Sequence, residues 1–400
     1  MADAMNMYND PAGGDQSTIG ATQFNTFKWH KKAIIDAKKE MFFSPMADSI
    51  AMPKHYGKKV KVYQYVPLLD DRNVNDQGLD AAGASYAGGN IYGSSQDVGT
   101  ITAKMPTLTE EGGRVNRVGF TRLERSGTIA EHGFFTEWTE DSMTFDSDSE
   151  LYGHMSREMV AAANEVTEDL LQADLLNAAG VVVFTGAATS DVTMTPEGAD
   201  PSVVTYNDLK KLSITLDDNR TPKNTKVIKG SQMTDTMTVS AARILYIGSE
   251  LQTTVENMVD GLGNAAFTPV RQYADAGSIL KGEIGTVADF RIVVVPNMMR
   301  WEGAGAAEGT NPGYAATGGN YDIFPMLVVG DGSFATVGLQ SSGKKGGKQK
   351  FRIIVKKPGK EQADKTDPYG KVGFSSISFW HGFIALRPER LGLVKSSAPE

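Results

Sequence analysis

One stretch constrains this chain more than any other. Ser147 to Ala179, SDSELYGHMSREMVAAANEVTEDLLQADLLNAA, reads as a single long helix. Leu151, Met155, Met159, Ala163, Val166, Leu170 and Leu171 recur at spacings of three and four, an apolar stripe on a 3.6-residue period. Arg157, Glu158, Glu165, Glu168 and Asp169 mostly fall elsewhere. Ser147 with Glu150 three positions on fits a capping box, each side chain satisfying a backbone N–H left free at the helix start. At about 1.5 Å per residue such a helix spans roughly 45 Å, longer than an ordinary compact domain requires. The expectation is a spine with other elements hung from it.

A chain of 400 residues has room for two or three domains. With 40% hydrophobic and 22% charged residues it falls in the soluble globular class. No run approaches the ~20 apolar residues of a membrane span, and MADAMNMYNDPAGGDQS lacks the basic and apolar regions of a secretory signal. The expected setting is therefore a cytoplasm. The absence of cysteine removes disulfides, thiolate catalysis and cysteine-ligated metals together. A net charge of −8 without a long Lys/Arg block argues against nucleic-acid binding as the main task. The 43 glycines are dense in stretches such as 78–99, 303–319 and 338–347, which predicts long loops between formed elements.

Residues 1–23 are small and polar, an arm. NTFKWHKKAIIDAKKEMFF (25–43) sets Trp29, Ala33, Ile34, Ala37 and Met41 among lysines, an amphipathic helix that docks on its own domain or on a neighbour. GKKVKVYQYVPLL (57–69) alternates Val60, Val62 and Val66 with Lys59, Lys61, Tyr63 and Tyr65, a strand. VGFTRLERSGTIAEHGFFTEWTE (118–140), with Phe134, Phe135 and Trp138, is a second strand. The pair flanks a long polar excursion and predicts a projecting antiparallel ribbon rather than a core sheet. An isolated ribbon is marginal in water and needs another surface to lie on. After the spine come a strand VVVFTG, a helix YNDLKKLSITLDDN started by Thr205 and Asp208, a strand RILYIGSE, and a short helix from Ser249. Strand-like segments follow at 279–299, 324–339 and 349–357, with a DPYG turn at 367–370 and an apolar terminal stretch from Val372. The fold class is α+β, with no repeat period.

Motifs that could carry chemistry fail on context. Gly338-Leu-Gln-Ser-Ser-Gly343-Lys344 lacks the Ser or Thr of a phosphate loop, has Lys345 there, and leads into a strand. Gly261-Leu-Gly263-Asn-Ala-Ala266 follows a helix instead of a strand. Asp146, Asp148 and Glu150 begin like a calcium loop, but Leu151 and Arg157 occupy its glycine and distal-acid positions. His30, His55, His132, His154 and His381 offer no pair at metal-ligand spacing, and no GxSxG elbow occurs. No catalytic residue, cofactor site or metal site is expected.

The order of these parts resembles the major capsid proteins of tailed bacteriophages with the Hong Kong 97-type fold. KKVKVYQYVPLL, the spine, LKGEIGTVADFRIVVV and DPYGKVGFSSISFWHGFIALRPERLGLV are similar to the family of coliphage N-four, from about residue 20 to the end. The resemblance implies an N-terminal arm at 1–44 and an extended loop at 45–145, a β-ribbon with an elaborated tip. It further implies a peripheral domain from 146–202 with 346–400, and an axial domain at 203–345. It implies hexamers and pentamers forming an icosahedral head that encloses double-stranded DNA, assembled in the host cytoplasm. Copies of itself, scaffold, portal and decoration proteins are the implied partners, with DNA touched non-specifically and no membrane. Trp29, Ile34, Val60, Val62, Tyr65, Phe134, Phe135 and Trp138 are the expected intersubunit contacts. The lysine–asparagine cross-link known in one branch of the family maps to no residue here. Two rivals stand beside this reading. An encapsulin-like compartment shell shares the fold but encloses protein cargo, and a soluble oligomeric enzyme would use dispersed Asp, Glu, His and Ser.

Overall fold

A computed structural model describes residues 41–53, 55–65, 122–145, 151–223, 225–229, 235–239, 243–270, 280, 282–339, 351–363 and 365–400. The first half of the chain gives β1 (Asp48–Met52), β2 (Lys59–Tyr65), β3 (Arg122–Thr139), α1 (Glu140–Phe145), α2 (Leu151–Ala178), β4 (Val181–Phe184) and α3 (Tyr206–Asp218). Next come β5 (Thr225–Lys229), β6 (Asp235–Val239), β7 (Arg243–Gly248), α4 (Gln252–Glu256), β8 (Phe267–Pro269), β9 (Glu283–Val287) and β10 (Phe290–Val295). The remainder gives β11 (Ala316–Thr317), β12 (Asn320–Tyr321), β13 (Phe324–Val329), β14 (Phe334–Leu339), β15 (Arg352–Lys356), β16 (Val372–Ala385) and β17 (Leu391–Ser396). Two compact units result. Among the described residues, one draws on Thr136–Ala161 and Val355–Ser375, the other on Glu40–Phe135, Ala162–Ile354 and Ser376–Glu400.

The second unit is built on a seven-stranded sheet in the order β4-β17-β13-β7-β10-β9-β8. Every residue of β7 and β13 is buried, as expected of strands covered on both faces. Leu245, Ile247, Ile292, Met326, Val328 and Val394 face Leu209, Leu212 and Leu216 of α3. Their alternates Ile244, Tyr246, Val293, Leu327, Val329 and Leu393 face Leu171, Leu175 and Leu176 of the spine helix α2, with Phe43. Period-two alternation thus places one helix on each side of one sheet. α3 begins as read: Thr205 Oγ1 accepts from Asp208 N–H, and Asp208 Oδ2 accepts from Thr205 N–H at 3.1 Å. β17 and β4 join this sheet, so strands from the expected peripheral segments pair beside those of 203–345.

A second sheet runs β1-β14-β16-β3-β2, with β15 also on β16. The ribbon expected to project by itself is therefore the edge of a six-stranded sheet. The sequence pattern pairs β3 with β2 alone; β16, from the far end of the chain, occupies the other edge of β3. Two stretches read as continuous strands change sheet midway. 324–339 divides at Gly330–Ser333 into β13 and β14, and the terminal stretch divides at Pro388–Arg390 into β16 and β17. The two crossings are stitched together: Gly330 N–H donates to Arg390 O at 3.1 Å, Arg387 N–H to Ser333 O at 2.8 Å, and Arg390 Nη1 to Asp331 O at 3.0 Å. Within the segment read at 279–299, β9 and β10 form a hairpin in one sheet, turning at Ala288 with φ +50°.

In the first unit, Gly370 N–H donates to Asp367 O at 3.1 Å and closes the expected DPYG turn. Asp367 Oδ2 accepts from Val372 N–H at 2.8 Å, and Glu140 N–H donates to Lys371 O at the same distance. Trp138 is buried in this chain, 7% exposed.

The spine exists, yet its stripe differs from the one read. Met159 and Ala163 are buried toward its start; Glu168, Leu171, Gln172, Leu175 and Leu176 are buried toward its end, while Val166 is exposed. At about 100° per residue, Glu168 lies roughly 140° round from Ala163. The buried face rotates along the helix, and a single straight stripe assigns Val166 and Glu168 to the wrong sides. Ser147 and Glu150, most of the helix expected over 25–43, and the tip of the extended loop lie outside the described residues; 41–43 are not helical.

Candidate assembly surfaces

The ribbon carries the first candidate surface. Lys59 pairs with Thr128, Lys61 with Ser126, Tyr63 with Glu124 and Tyr65 with Arg122, so these eight share one face, and all eight are exposed. Arg122 stacks its guanidinium 4.1 Å from the centre of the Tyr63 ring, and Lys61 Nζ meets Glu124 Oε1 at 2.5 Å. That hydrogen bond holds the Glu124 carboxyl below its ordinary range and raises Lys61.

On the opposite face Val60 and Val62 pack against Met52, Ile129, Ala335, Val337 and Ile384 of the same chain. They were expected to meet a neighbour, but the two-residue period that makes β2 a strand turns them inward. Tyr65, on the outer face, is 62% exposed. Along β3 the inward residues are Leu123, Gly127 and Ile129, then His132, Phe134, Thr136 and Trp138. The phase changes at Ala130 and Glu131, both exposed. Phe135 consequently points out, 61% exposed, with Phe134 half-buried and Trp138 buried. Trp29 and Ile34 lie outside the described residues.

The ribbon's base is tied by polar side chains. Arg125 Nη2 donates to Gln64 Oε1 at 3.4 Å, and Gln64 Nε2 donates to Glu389 Oε1 at 3.0 Å. Glu389, fully buried, sits in the stitched crossing between the sheets.

The second candidate is the root segment Phe42–Ser44. Glu168 Oε1 accepts from the N–H groups of Phe42 at 2.8 Å, Phe43 at 2.6 Å and Ser44 at 3.4 Å, and Oε2 accepts from the Ser44 hydroxyl. Phe43 lies 4.9 Å from the Tyr246 ring, whose hydroxyl donates to Phe42 O at 3.2 Å. Burial pushes the Tyr246 hydroxyl far above its ordinary range, with Glu168 adding to the effect. The carboxylate therefore fixes three consecutive residues on the spine helix. Sequence spacing assigns Glu168 to the polar side and carries no signal of this role.

The glycine-rich stretch 303–319 is pinned by hydrogen bonds. Gly303 N–H donates to Asp322 Oδ1 at 2.7 Å, Gly305 N–H to Tyr321 O at 2.8 Å, and Gly309 N–H to Glu197 Oε1 at 2.9 Å. The Tyr321 hydroxyl donates to the same Glu197 oxygen, which lowers the glutamate and helps push the burial-raised phenol up to about 12. Two histidines far apart in the sequence meet. His132 and His381 have ring centres 6.4 Å apart, and His381 Nε2 lies 3.2 Å from Asp174 Oδ2. Among the described residues no group of three or more His, Cys, Asp or Glu could hold a metal, and no helix is long and apolar enough to cross a membrane.

Comparison with known proteins gives these surfaces a context. A family model described as phage capsid protein matches residues 123–396. The major capsid protein of Pseudomonas phage KPP21 is 53% identical over 392 residues, 98% of this chain and 97% of the relative. Two solved structures are similar in fold. The capsid of Ralstonia phage GP4 has a TM-score of 0.55 at 12% identity, covering 96% of this chain and 98% of that one. The capsid of cyanophage P-SCSP1u has a TM-score of 0.53 at 16% identity, covering 94% of each. With a family model that spans most of its length and near-complete alignment to a curated relative, the chain belongs to the phage capsid proteins, as a major capsid protein that self-assembles into the virion shell.

Proposed function

We propose that the subunit has the Hong Kong 97-type fold and assembles as hexamers and pentamers into the icosahedral head of a tailed phage, in the host cytoplasm, around double-stranded DNA. Its role is structural rather than enzymatic. The observation that carries this reading is the 53% identity to a major capsid protein across nearly all of both chains. In this proposal 1–44 is the arm, 45–145 the extended loop, 146–202 with 346–400 the peripheral domain, and 203–345 the axial domain. The arm and the outward ribbon face reach neighbouring subunits, with Tyr65 and Phe135 as apolar grips. Many modest contacts sum through closed symmetry into a durable shell. Scaffold, portal and decoration proteins are the further partners, and the acidic chain holds DNA only loosely.

Electron microscopy of the protein expressed with the phage's other head proteins tests the reading. Icosahedral particles holding nuclease-protected DNA are expected; small closed oligomers alone would refute it. Tyr65→Ser with Phe135→Ser is expected to leave the subunit's melting temperature unchanged while preventing complete shells, and shells at the wild-type yield would remove the ribbon face from the contacts.

A further inference from the structure

The charge of this chain is unevenly spread. Residues 344–371 hold ten Lys and Arg against Glu361, Asp364 and Asp367, a local +7 in a chain whose total is −8. The described part of this stretch, 351–363 and 365–371, consists of β15 and the loop that leads from it to β16. All five residues of β15 are exposed, and along the loop Lys357, Lys360, Lys365 and Lys371 are exposed as well.

The loop is an ordered platform for these side chains. Gly359 N–H donates to Gly370 O at 2.8 Å and joins its two ends, and Gln362 N–H donates to Gly359 O at 2.9 Å. A Cβ at Gly373 would stand 2.5 Å from Pro358 Cδ and 2.9 Å from Lys356 O, so β16 begins directly against the start of the loop. Two of the nearby acids are engaged. Asp367 Oδ2 accepts from Val372 N–H at 2.8 Å, and Asp141 Oδ1 meets Lys371 Nζ at 3.7 Å. Tyr369, on the same loop, is 83% exposed.

Lysine suits a row of phosphates whose sequence is not read. Its ammonium is a point charge on a flexible stem, so it follows a sugar–phosphate backbone without selecting bases, and a tyrosine hydroxyl donates to the same oxygens. A duplex presents one negative charge per about 1.7 Å, and each lysine that meets a phosphate releases a condensed counterion. The acidic remainder of the chain repels such a polymer and directs it to this loop. A protein surface mixes its carboxylates with bases, whereas a duplex offers uninterrupted negative charge to several lysines on one loop.

We infer that Lys356, Lys357, Lys360 and Lys365 contact the phosphate backbone of the enclosed duplex DNA, the place where an otherwise acidic subunit touches its contents. The inference deepens the proposed function and rests on the shell enclosing DNA.

Acetic anhydride labelling of DNA-filled heads, and of the same heads emptied of DNA, tests it. The four lysines are expected to be acetylated several-fold more slowly in filled heads than in emptied ones. Equal rates in both overturn the inference; slow reaction in both means that a protein surface covers the loop, which overturns it as well. A variant with all four lysines changed to Gln supplies a second readout, as unassembled full chain titrated with a short duplex of mixed sequence. Its melting temperature stays at the wild-type value, while the slope of log affinity against log salt becomes shallower by about 0.9 per lysine, about 3.6 in all. A slope equal to that of the wild type, or a wild-type chain that binds no duplex at low salt, overturns the inference. If no DNA-filled heads form with the phage's other head proteins, the reading of a genome shell fails instead, and the salt slope still decides whether the loop grips a duplex.

Discussion

Glu168→Ala removes the acceptor of the Phe42 and Phe43 amide bonds, at 2.8 and 2.6 Å, and of the Ser44 hydroxyl. A buried donor left without a partner costs about 1–3 kcal/mol. The hydroxyl can rotate, so the two amides dominate, for a sum of about 2–6 kcal/mol. Removing a carboxylate that is only 4% exposed returns part of this as relieved desolvation, leaving about 3 kcal/mol. A ceiling applies as well. The root can detach and forfeit the burial of Phe43, worth about 2–3 kcal/mol. Since the two costs are similar, the variant keeps its fold and opens at the root.

Hydrogen exchange of residues 42–44 reads this directly. At about 1.4 kcal/mol per factor of ten, protection of these amides drops about 100-fold in Glu168→Ala. Glu168→Gln keeps an acceptor oxygen but loses its charge, for a drop of about tenfold or less. The melting temperature falls by about 5 °C in the alanine variant, small because the loss is local. Wild-type protection at 42–44 in Glu168→Ala would refute the latch and leave the Phe43–Tyr246 packing as what holds the root.

Thr205→Ala deletes the cap of α3 and is expected to cost about 1 kcal/mol, read from a thermal or denaturant melt; no change would mean that Asp208 alone suffices. Gly382→Ala places a Cβ 2.9 Å from Thr128 O and 3.2 Å from Val337 Cβ, so it destabilises by about 1–3 kcal/mol and depletes folded subunit on expression. Tyr321→Phe alters the pH profile at both ends. The lowered Glu197 contributes stability above its unfolded value of about 4.3 that is lost as pH falls through the folded value, whereas Tyr321, raised to about 12, contributes below about 10 and loses it as pH rises toward 12. Removing the hydroxyl flattens both limbs in melts recorded across pH; an unchanged profile counts against the pair.

Local signals in the sequence proved legible and long-range ones did not. The spine helix, the Thr205–Asp208 cap, the DPYG turn and β7 follow from spacing and capping chemistry within a few residues. What escaped depends on partners far along the chain. β1 pairs in parallel with β14, most of the chain away, and the small apolar content of DSIAM gives no sign of it. The inward turn of Val60, Val62 and Trp138 depends on which face of the whole sheet is covered, and the phase change at Ala130–Glu131 has no marker residue. Glu168 is a polar residue on a buried face, the case in which hydropathy misleads because hydrogen bonds offset the burial.

On the proposed assembly, shell formation and folding of this subunit draw on different residues. Among the described residues three apolar clusters form within one chain, around α3, around the end of the spine, and beneath β2. Within the larger unit, Gln64 with Glu389 holds β2 and Glu168 holds Phe42–Ser44 through buried or half-buried polar groups, which set position and contribute little to an apolar contact outside. Tyr65 and Phe135 belong to none of the three clusters. A polar substitution at these outward positions therefore leaves the subunit melting normally and lowers shell yield. The same substitution at Val62, packed on the cluster beneath β2, lowers the melting temperature first and shell yield only as a consequence. Measuring both quantities on the same preparations tells the two kinds of residue apart, and an outward variant that melts early would break the division.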